Sequence, residues 1–219
     1  MNIIIGGTHG LGAKIAEKLR ADGQKTFVVG RSYSLDEHGR GMAINLSRDG
    51  DVESLTAYID NLGNNAMNAF FWVSGYGYNG DFANQPEAVR MAQVNFANVI
   101  PIAQAAWKKM LKSDDKSRFV VVSSTTGIKA RSDETVYAAT KYALVGFTKS
   151  LGLESERVKS NIQVSLFMPG GMQTPFWDGA RPDSFDDFLD PSKVASKIID
   201  STQNQSDYFY EETIERGSL

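Results

Sequence analysis

Three side chains near the middle of the chain have the types and spacing for acid–base chemistry: Ser124, Tyr137 and Lys141. Tyr137 and Lys141 are four residues apart in a segment, Thr135 to Phe147, whose apolar residues recur every three or four positions. That period reads as a helix, and residues four apart on a helix share a face, one turn from each other. A free phenol titrates near ~10, too high for proton exchange at neutral pH. A neighbouring ammonium favours the phenolate and lowers that value, which makes the tyrosine a usable acid or base. Ser124 lies thirteen residues before Tyr137, just past the apolar run Phe119–Val122. A hydroxyl at the end of a buried strand can sit beside a helix that follows in space. A Tyr-x-x-x-Lys pair also occurs by chance in many helices, so the assignment leans on the rest of the chain.

The elements that must hold these side chains alternate between strand and helix. Short apolar runs predict strands over 2–5, 26–29, 41–46, 67–73, 118–123 and 162–168, and the alternating tail 207–214 reads as a last edge strand. Helical spacing covers 13–20, 52–62, 89–111 (bent near Pro101), 135–158 and 193–199. Such alternation predicts a parallel sheet wrapped by helices on both faces. No repeat, low-complexity tract or linker divides residues 1–219, so a single domain is expected.

Gly6, Gly10 and Gly12 follow the first strand and open the first helix, with Thr8, His9 and Leu11 between them. Glycines there let the backbone approach a dinucleotide's phosphates, and the helix amino terminus offers them free N–H groups. The spacing is G-x-x-x-G-x-G, and a simple tight turn is the competing reading. The second strand ends at Gly30-Arg31-Ser32. A carboxylate at this place would bind the ribose hydroxyls of NAD, whereas a guanidinium suits the 2′-phosphate of NADP. NADP is therefore expected over NAD, with His9 as a further donor; a solvated surface arginine and an incidental loop histidine are the alternatives.

Composition removes other classes. The 219 residues carry 23 basic and 26 acidic side chains, a formal charge of −3, which leaves no basic footprint for nucleic acid or anionic membrane. The absence of cysteine rules out disulfides, thiolate metal sites and cysteine nucleophiles, and two histidines are too few for a typical histidine metal site. No metal is expected. No apolar run approaches the ~20 residues that span a bilayer. The first residues enter a strand directly, so no signal peptide is expected, and the cytoplasm is the expected location.

With these pieces in place the chain resembles a short-chain dehydrogenase/reductase of the single-domain type, over nearly its whole length to about Phe176. Gly6, Gly10 and Gly12 match that family's cofactor loop. Asn95, in Gln93-Val-Asn-Phe, matches its active-site asparagine; Ser124, Tyr137 and Lys141 match the catalytic set; Pro169-Gly170 and Thr174 resemble the turn that meets the nicotinamide end. The resemblance implies a three-layer, Rossmann-like, doubly wound parallel sheet of about seven strands.

The departures are specific. Ile5-Gly6 stands where the family usually has Thr-Gly, and Trp72-Val73-Ser74-Gly75 where it usually has Asn-Asn-Ala-Gly. By the resemblance the missing Thr and Asn belong to one structural contact, so their joint loss reads as a replaced support. The acidic residue often found near the adenine is Asn45, followed by Leu46; its amide can bond the adenine amino group through its carbonyl.

The implied activity is NADPH-dependent interconversion of a carbonyl and an alcohol on a small apolar or aromatic molecule. Tyr137 exchanges the proton, Lys141 lowers its pKa and holds the nicotinamide ribose, Ser124 bonds the substrate oxygen, and Asn95 holds a water leading from Lys141. Ser74 and Gly75 line the cofactor. The stretch after Thr174, through Phe176, Trp177 and on to Asp190, is the expected substrate lid, with Met172 and Tyr76 as further candidate pocket residues. A non-catalytic NADP-binding sensor is the alternative; an extended-type epimerase needs a larger carboxy-terminal region. Relatives pair through their long helices, so a homodimer or homotetramer is expected, with Trp107 and Phe147 as candidate contacts.

Overall fold

The five central strands are short, largely apolar and buried nearly throughout, whereas the two edge strands are partly exposed. Asn2–Ile5 (β1), Thr26–Gly30 (β2), Gly41–Ala43 (β3), Ala69–Trp72 (β4), Ser117–Val122 (β5), Ile162–Pro169 (β6) and Phe209–Ile214 (β7) form one sheet. Its order is β3-β2-β1-β4-β5-β6-β7, and every pairing is parallel. This computed structural model describes residues 1–63, 65–177 and 181–219. Residues 178–180 of the expected lid lie outside the described residues.

Alternate strand residues feed two cores. Ile3, Ile5, Phe70, Trp72 and Phe119 face the helices Asp49–Asp60 (α3), Ile100–Leu111 (α5) and Thr135–Arg157 (α6). Ile4, Val28, Phe71 and Val120 face Gly10–Ala21 (α1) and Pro191–Gln203 (α7). The result is three layers: helices, sheet, helices. A short helix, Leu35–His38 (α2), also forms after β2, started by Ser34, whose hydroxyl accepts from the Glu37 N–H.

Two expectations are corrected here. The helix expected over 89–111 is two helices, Ala88–Asn95 (α4) and α5, separated by a break at Phe96 (φ −141°) and a 3-10 turn at Ala97–Val99. Pro101 is not the cause. It lies in the first turn of α5, where its missing N–H has no intrahelical partner to lose. The break turns Phe96 onto Trp72, with rings 5.9 Å apart and 19° from parallel. Trp107, expected at a subunit contact, is buried, edge-on to Phe119 at 5.8 Å. Phe147 is also drawn inward, against Trp72, Phe96 and Phe119.

Ile5 pairs with Trp72 in the β1–β4 register. The two positions that depart from the family pattern are thus neighbours, and an aromatic cluster occupies the place expected for a polar link. Trp72 is fully buried, and its indole N–H has no hydrogen-bond partner among the described residues. Trp72→Ala therefore opens a cavity in the centre of the sheet. It should cost about 3–5 kcal/mol in urea unfolding; a loss under about 1 kcal/mol would mean that the cluster is not a support.

Candidate functional site

The chain builds the sheet outward from β1 to β3, then crosses back to place β4 on the other side of β1. The loops leaving β1 and β4 diverge at that point, and in open parallel sheets this is where a crevice forms. A cavity of about 690 Å³ lies there. It runs from Arg31 and Asn45 at one end to Phe176 and Trp177 at the other, with Ser124, Tyr137 and Lys141 between. Of the catalytic and cofactor candidates taken from the sequence, only Asn95 lies behind the wall; the other eighteen line it, from Gly6 to Thr174.

The glycine loop is as tight as its composition requires. Gly6 sits at φ +87°, where a Cβ would come 2.6 Å from the Ser74 Cα. A Cβ on Gly12 would meet the Gly6 carbonyl at 2.1 Å. Helix α1 starts at Gly10 without a side-chain cap and without an acidic residue in its first turn. Its free N–H groups face the cavity, a ready anion site. The Ser74 hydroxyl is buried in the same wall without a partner among the described residues. A cradle without side chains, an uncapped helix start and an unpartnered hydroxyl together fit a dinucleotide's diphosphate and ribose.

At the far end, Arg31 and Ser32 are exposed on the cavity rim, and Arg31 makes no hydrogen bond or ion pair among the described residues. Buried His38 braces the glycine loop, its Nε2 3.2 Å from the Thr8 carbonyl. His9 is exposed and edge-on to His38 at 6.5 Å. Asn45 departs from its expected use. Its side-chain carbonyl accepts from both the N–H (3.1 Å) and the hydroxyl (2.8 Å) of Ser47. That oxygen shapes the turn after β3 and is taken, so it is not the adenine contact expected of it.

Ser124 lies two residues past β5, with its oxygen accepting from the Thr126 N–H at 3.1 Å. This fixes the oxygen and leaves the hydroxyl proton to be donated toward the cavity. On α6, Lys141 is buried and donates to the Val122 carbonyl at 3.3 Å, and its Nζ lies 5.6 Å from the centre of the Tyr137 ring. Burial pulls its pKa down from 10.5 to about 8. Burial also pushes the Tyr137 phenol well above its ordinary value, against the opposing hydrogen bond from Ser124. The expected lowering of Tyr137 by Lys141 is thus overturned in the ligand-free protein, because desolvation exceeds every charge contribution. Tyr137 is a firmly protonated phenol here.

Asn95 is fully buried at the end of α4. Its amide oxygen accepts from the Tyr76 N–H (3.0 Å), while its nitrogen donates to the Tyr76 carbonyl (2.8 Å) and to Thr140 Oγ1 (3.2 Å). The side chain clamps the segment after β4 to α6. The sequence reading passed over Arg131 and Glu134, which also line the cavity. Glu134 is buried and accepts from Thr126 Oγ1 at 2.9 Å. The one signal was position: both lie in the loop between Ser124 and Tyr137. Phe176 closes over Tyr137, ring centres 5.5 Å apart. Among the described residues no group of three His, Asp or Glu could hold a metal, and no helix is long and apolar enough to cross a membrane.

The buried ammonium is a cost that pH reveals. Lys141→Met keeps the stem and removes the charge, so the ligand-free variant should gain stability at pH 7, by on the order of 3 kcal/mol at most. In the native protein the unfolded chain holds this proton up to 10.5, whereas the folded chain releases it at about 8. Stability should therefore rise with pH from about 8 to about 9.5 in the native protein, with no such rise in the variant. Urea midpoints across that window test this, and identical slopes would remove the argument.

Comparison with known proteins agrees with this architecture. The sequence model of the short chain dehydrogenase family matches residues 1–184. Carbonyl reductase family member 4 of Xenopus laevis is 24% identical over 213 residues, covering 90% of this chain and 88% of that protein. The 3-oxoacyl-(acyl-carrier-protein) reductase of Bos taurus is 25% identical over 220 residues, covering 90% of each. Among solved structures, a short-chain dehydrogenase from Sphingobium yanoikuyae in complex with NADPH superimposes with a TM-score of 0.85 at 18% identity, over 97% of this chain and 86% of the other. A 4-hydroxyisoleucine dehydrogenase complexed with NADH gives 0.84 at 18% identity, over 100% and 98%. These structural likenesses speak for the fold, and the family match carries the assignment: the chain belongs to the short-chain dehydrogenase/reductase family of oxidoreductases.

Proposed function

We propose that this protein uses NADP(H) to interconvert a carbonyl and an alcohol on a small molecule held under Phe176 and Trp177, with residues 1–219 acting as one domain in the cytoplasm. The observation that carries the reading is the convergence of Ser124, a protonated Tyr137 and buried Lys141 on one cavity wall, opposite a side-chain-free glycine cradle. When bound, the nicotinamide supplies or accepts the hydride.

The chain's own groups handle the oxygen and the proton. The Ser124 hydroxyl, oriented through Thr126, donates to the substrate oxygen and stabilises charge developing there. Tyr137 delivers its proton to that oxygen on reduction and takes one on oxidation. A phenol whose pKa is raised by burial holds its proton at neutral pH but gives it up reluctantly, so the step needs a nearby positive charge to stabilise the phenolate that forms. Lys141 stays mostly protonated at pH 7 and stands beside the phenolate that reduction creates. Gly6, Gly10 and Gly12, with the intervening Thr8, His9 and Leu11, hold the diphosphate. Ser74, Gly75, Pro169, Gly170 and Thr174 line the path toward the nicotinamide, and Asn45 and Leu46 wall the adenine. Asn95 positions the Tyr76 segment and α6 relative to each other.

Relatives in this fold bind either NADPH or NADH, so cofactor preference rests on this chain's own rim. Arg31 is a cation without a partner among the described residues, at the end of β2 where the adenosine ribose belongs, with Ser32 beside it; a 2′-phosphate fits it. For assembly we propose a homodimer or homotetramer through the outer face of α6. Tyr142 and Leu153 are exposed there (44% and 68%), in place of the buried Trp107.

Three measurements test these readings. Fluorescence titrations should give a Kd for NADPH about tenfold or more below that for NADH, with the difference lost in Arg31→Ala. Tyr137→Phe should keep NADPH affinity and lose turnover by at least about 100-fold; full turnover in that variant would leave the non-catalytic, NADP-binding sensor as the better reading. Light scattering at micromolar concentration should give a dimer or larger, and a monomer would refute the α6 interface.

A further inference from the structure

The charges around the cavity are not evenly matched. Among its lining cations, Arg31 stands at the adenosine end, Lys141 is bonded to a backbone carbonyl, and Arg90 is paired with Glu87 at 2.6 Å. Arg216, from the segment after β7, bonds Ser184 and lies 4.1 Å above the Phe188 ring. Arg131 has no such commitment. It is exposed to the cavity from the loop that joins Ser124 to Tyr137, and it makes no hydrogen bond or ion pair among the described residues. Its near neighbour in sequence, Glu134, spends its carboxylate on Thr126. Arg131 and Tyr137 line the same cavity.

We propose that Arg131 reads an acidic group on the substrate, so that the enzyme takes oxo acids, or the corresponding hydroxy acids, in preference to neutral ketones. The proposal rests on the carbonyl-reductase reading above and specifies the substrate class of that same site. A guanidinium presents a planar fork of donors that matches a carboxylate in two parallel hydrogen bonds. Within a partly closed cavity that pair gains more than it would at an open surface. The remaining wall is apolar: Phe176 lies over Tyr137, and Trp177 packs edge-on to Phe176 at 5.1 Å. A ligand that satisfies both has a carbonyl at Ser124 and Tyr137, a carboxylate at Arg131, and an aliphatic or aromatic body under the two rings. With the acid held on the loop that carries the catalytic groups, binding energy is used to orient the carbonyl.

The experiment uses matched pairs with NADPH: phenylglyoxylate and its methyl ester, and 3-oxohexanoate and its methyl ester. The native enzyme should show a kcat/KM at least about tenfold higher for each acid than for its ester. Arg131→Ala should lower the acid values by about tenfold or more, mainly through KM, and leave the esters within about twofold. Arg131→Lys should recover part of the loss. Because Arg131 bonds nothing else described, its removal should leave the melting temperature and the NADPH affinity unchanged. Esters reduced as well as acids, or an acid preference that survives Arg131→Ala, overturns the proposal and leaves the reductase reading standing. Weakened NADPH binding in Arg131→Ala also overturns it, since the guanidinium would then serve the cofactor. If NADPH binds and none of the four compounds is reduced, the reductase reading fails, and calorimetry on the NADPH complex decides the acid site. Phenylacetate should then bind more tightly than phenylacetamide, with the difference lost in Arg131→Ala; equal affinities overturn the proposal.

Discussion

The pairing of β1 with β4 is the constraint on which the rest of the molecule depends. These strands are far apart in sequence and adjacent at the centre of the sheet, where the chain's winding reverses. Their register sets Ile5 against Trp72 and brings the turn at Gly6 against Ser74, so closely that only glycine fits. The crevice, the uncapped start of α1 and the wall containing the Ser74 hydroxyl all follow from that one contact. A slip of one residue would exchange the faces of a strand buried on both sides and would close the crevice with side chains. The aromatic cluster of Trp72, Phe96 and Phe147 holds the same pair from beneath, and it draws α4, α5 and α6 onto it.

Desolvation then sets the electrostatics of the site. In water the Tyr137–Lys141 pair would behave as an acid beside a cation, with the phenol lowered and the ammonium raised. Inside the wall both move the other way, toward their neutral forms. The ligand-free protein therefore carries an ammonium with a single carbonyl partner and a phenol reluctant to ionise. Negative charge arriving near Lys141 offsets part of that burial cost, so binding and chemistry draw on a cost that folding has already met. Asn95 belongs to this arrangement although it touches none of the cavity, because its amide ties the segment after β4 to α6, the helix that carries both titrating groups.

What the sequence made legible is what depends on short-range pattern. The apolar runs at 2–5, 26–29 and 162–168 read as strands because a parallel strand buried on both faces has no polar alternation to confuse it. The glycine loop read correctly as a turn because its spacing is local. The break at Phe96 was hidden, since its cause includes the ring of Trp72, 24 residues earlier. Pro101, the visible helix breaker, drew the bend to the wrong place. Trp107 looked like a contact residue because amphipathic spacing cannot tell a sheet-facing aromatic from a partner-facing one. Asn45 was read by its donors and acceptors without Ser47, two residues on, which takes its oxygen. The sign of the Tyr137 shift was missed because spacing reveals the neighbouring charge and not the burial of both groups.

The two halves of the cavity differ in this respect for a physical reason. The half that fits a dinucleotide is made of backbone: glycines, a helix start and the ends of adjacent strands. Backbone sites need particular residue types at fixed spacing, so they leave a signature in the sequence. The half under Phe176 is made of side chains from the loop before α6, the segment after β6 and the tail after β7, brought together only by the fold. Many combinations of side chains can wall such a space, so no spacing announces it. Its chemistry has to be read from what is left over once each side chain's partner has been found, and at that end of the cavity the remainder is a guanidinium.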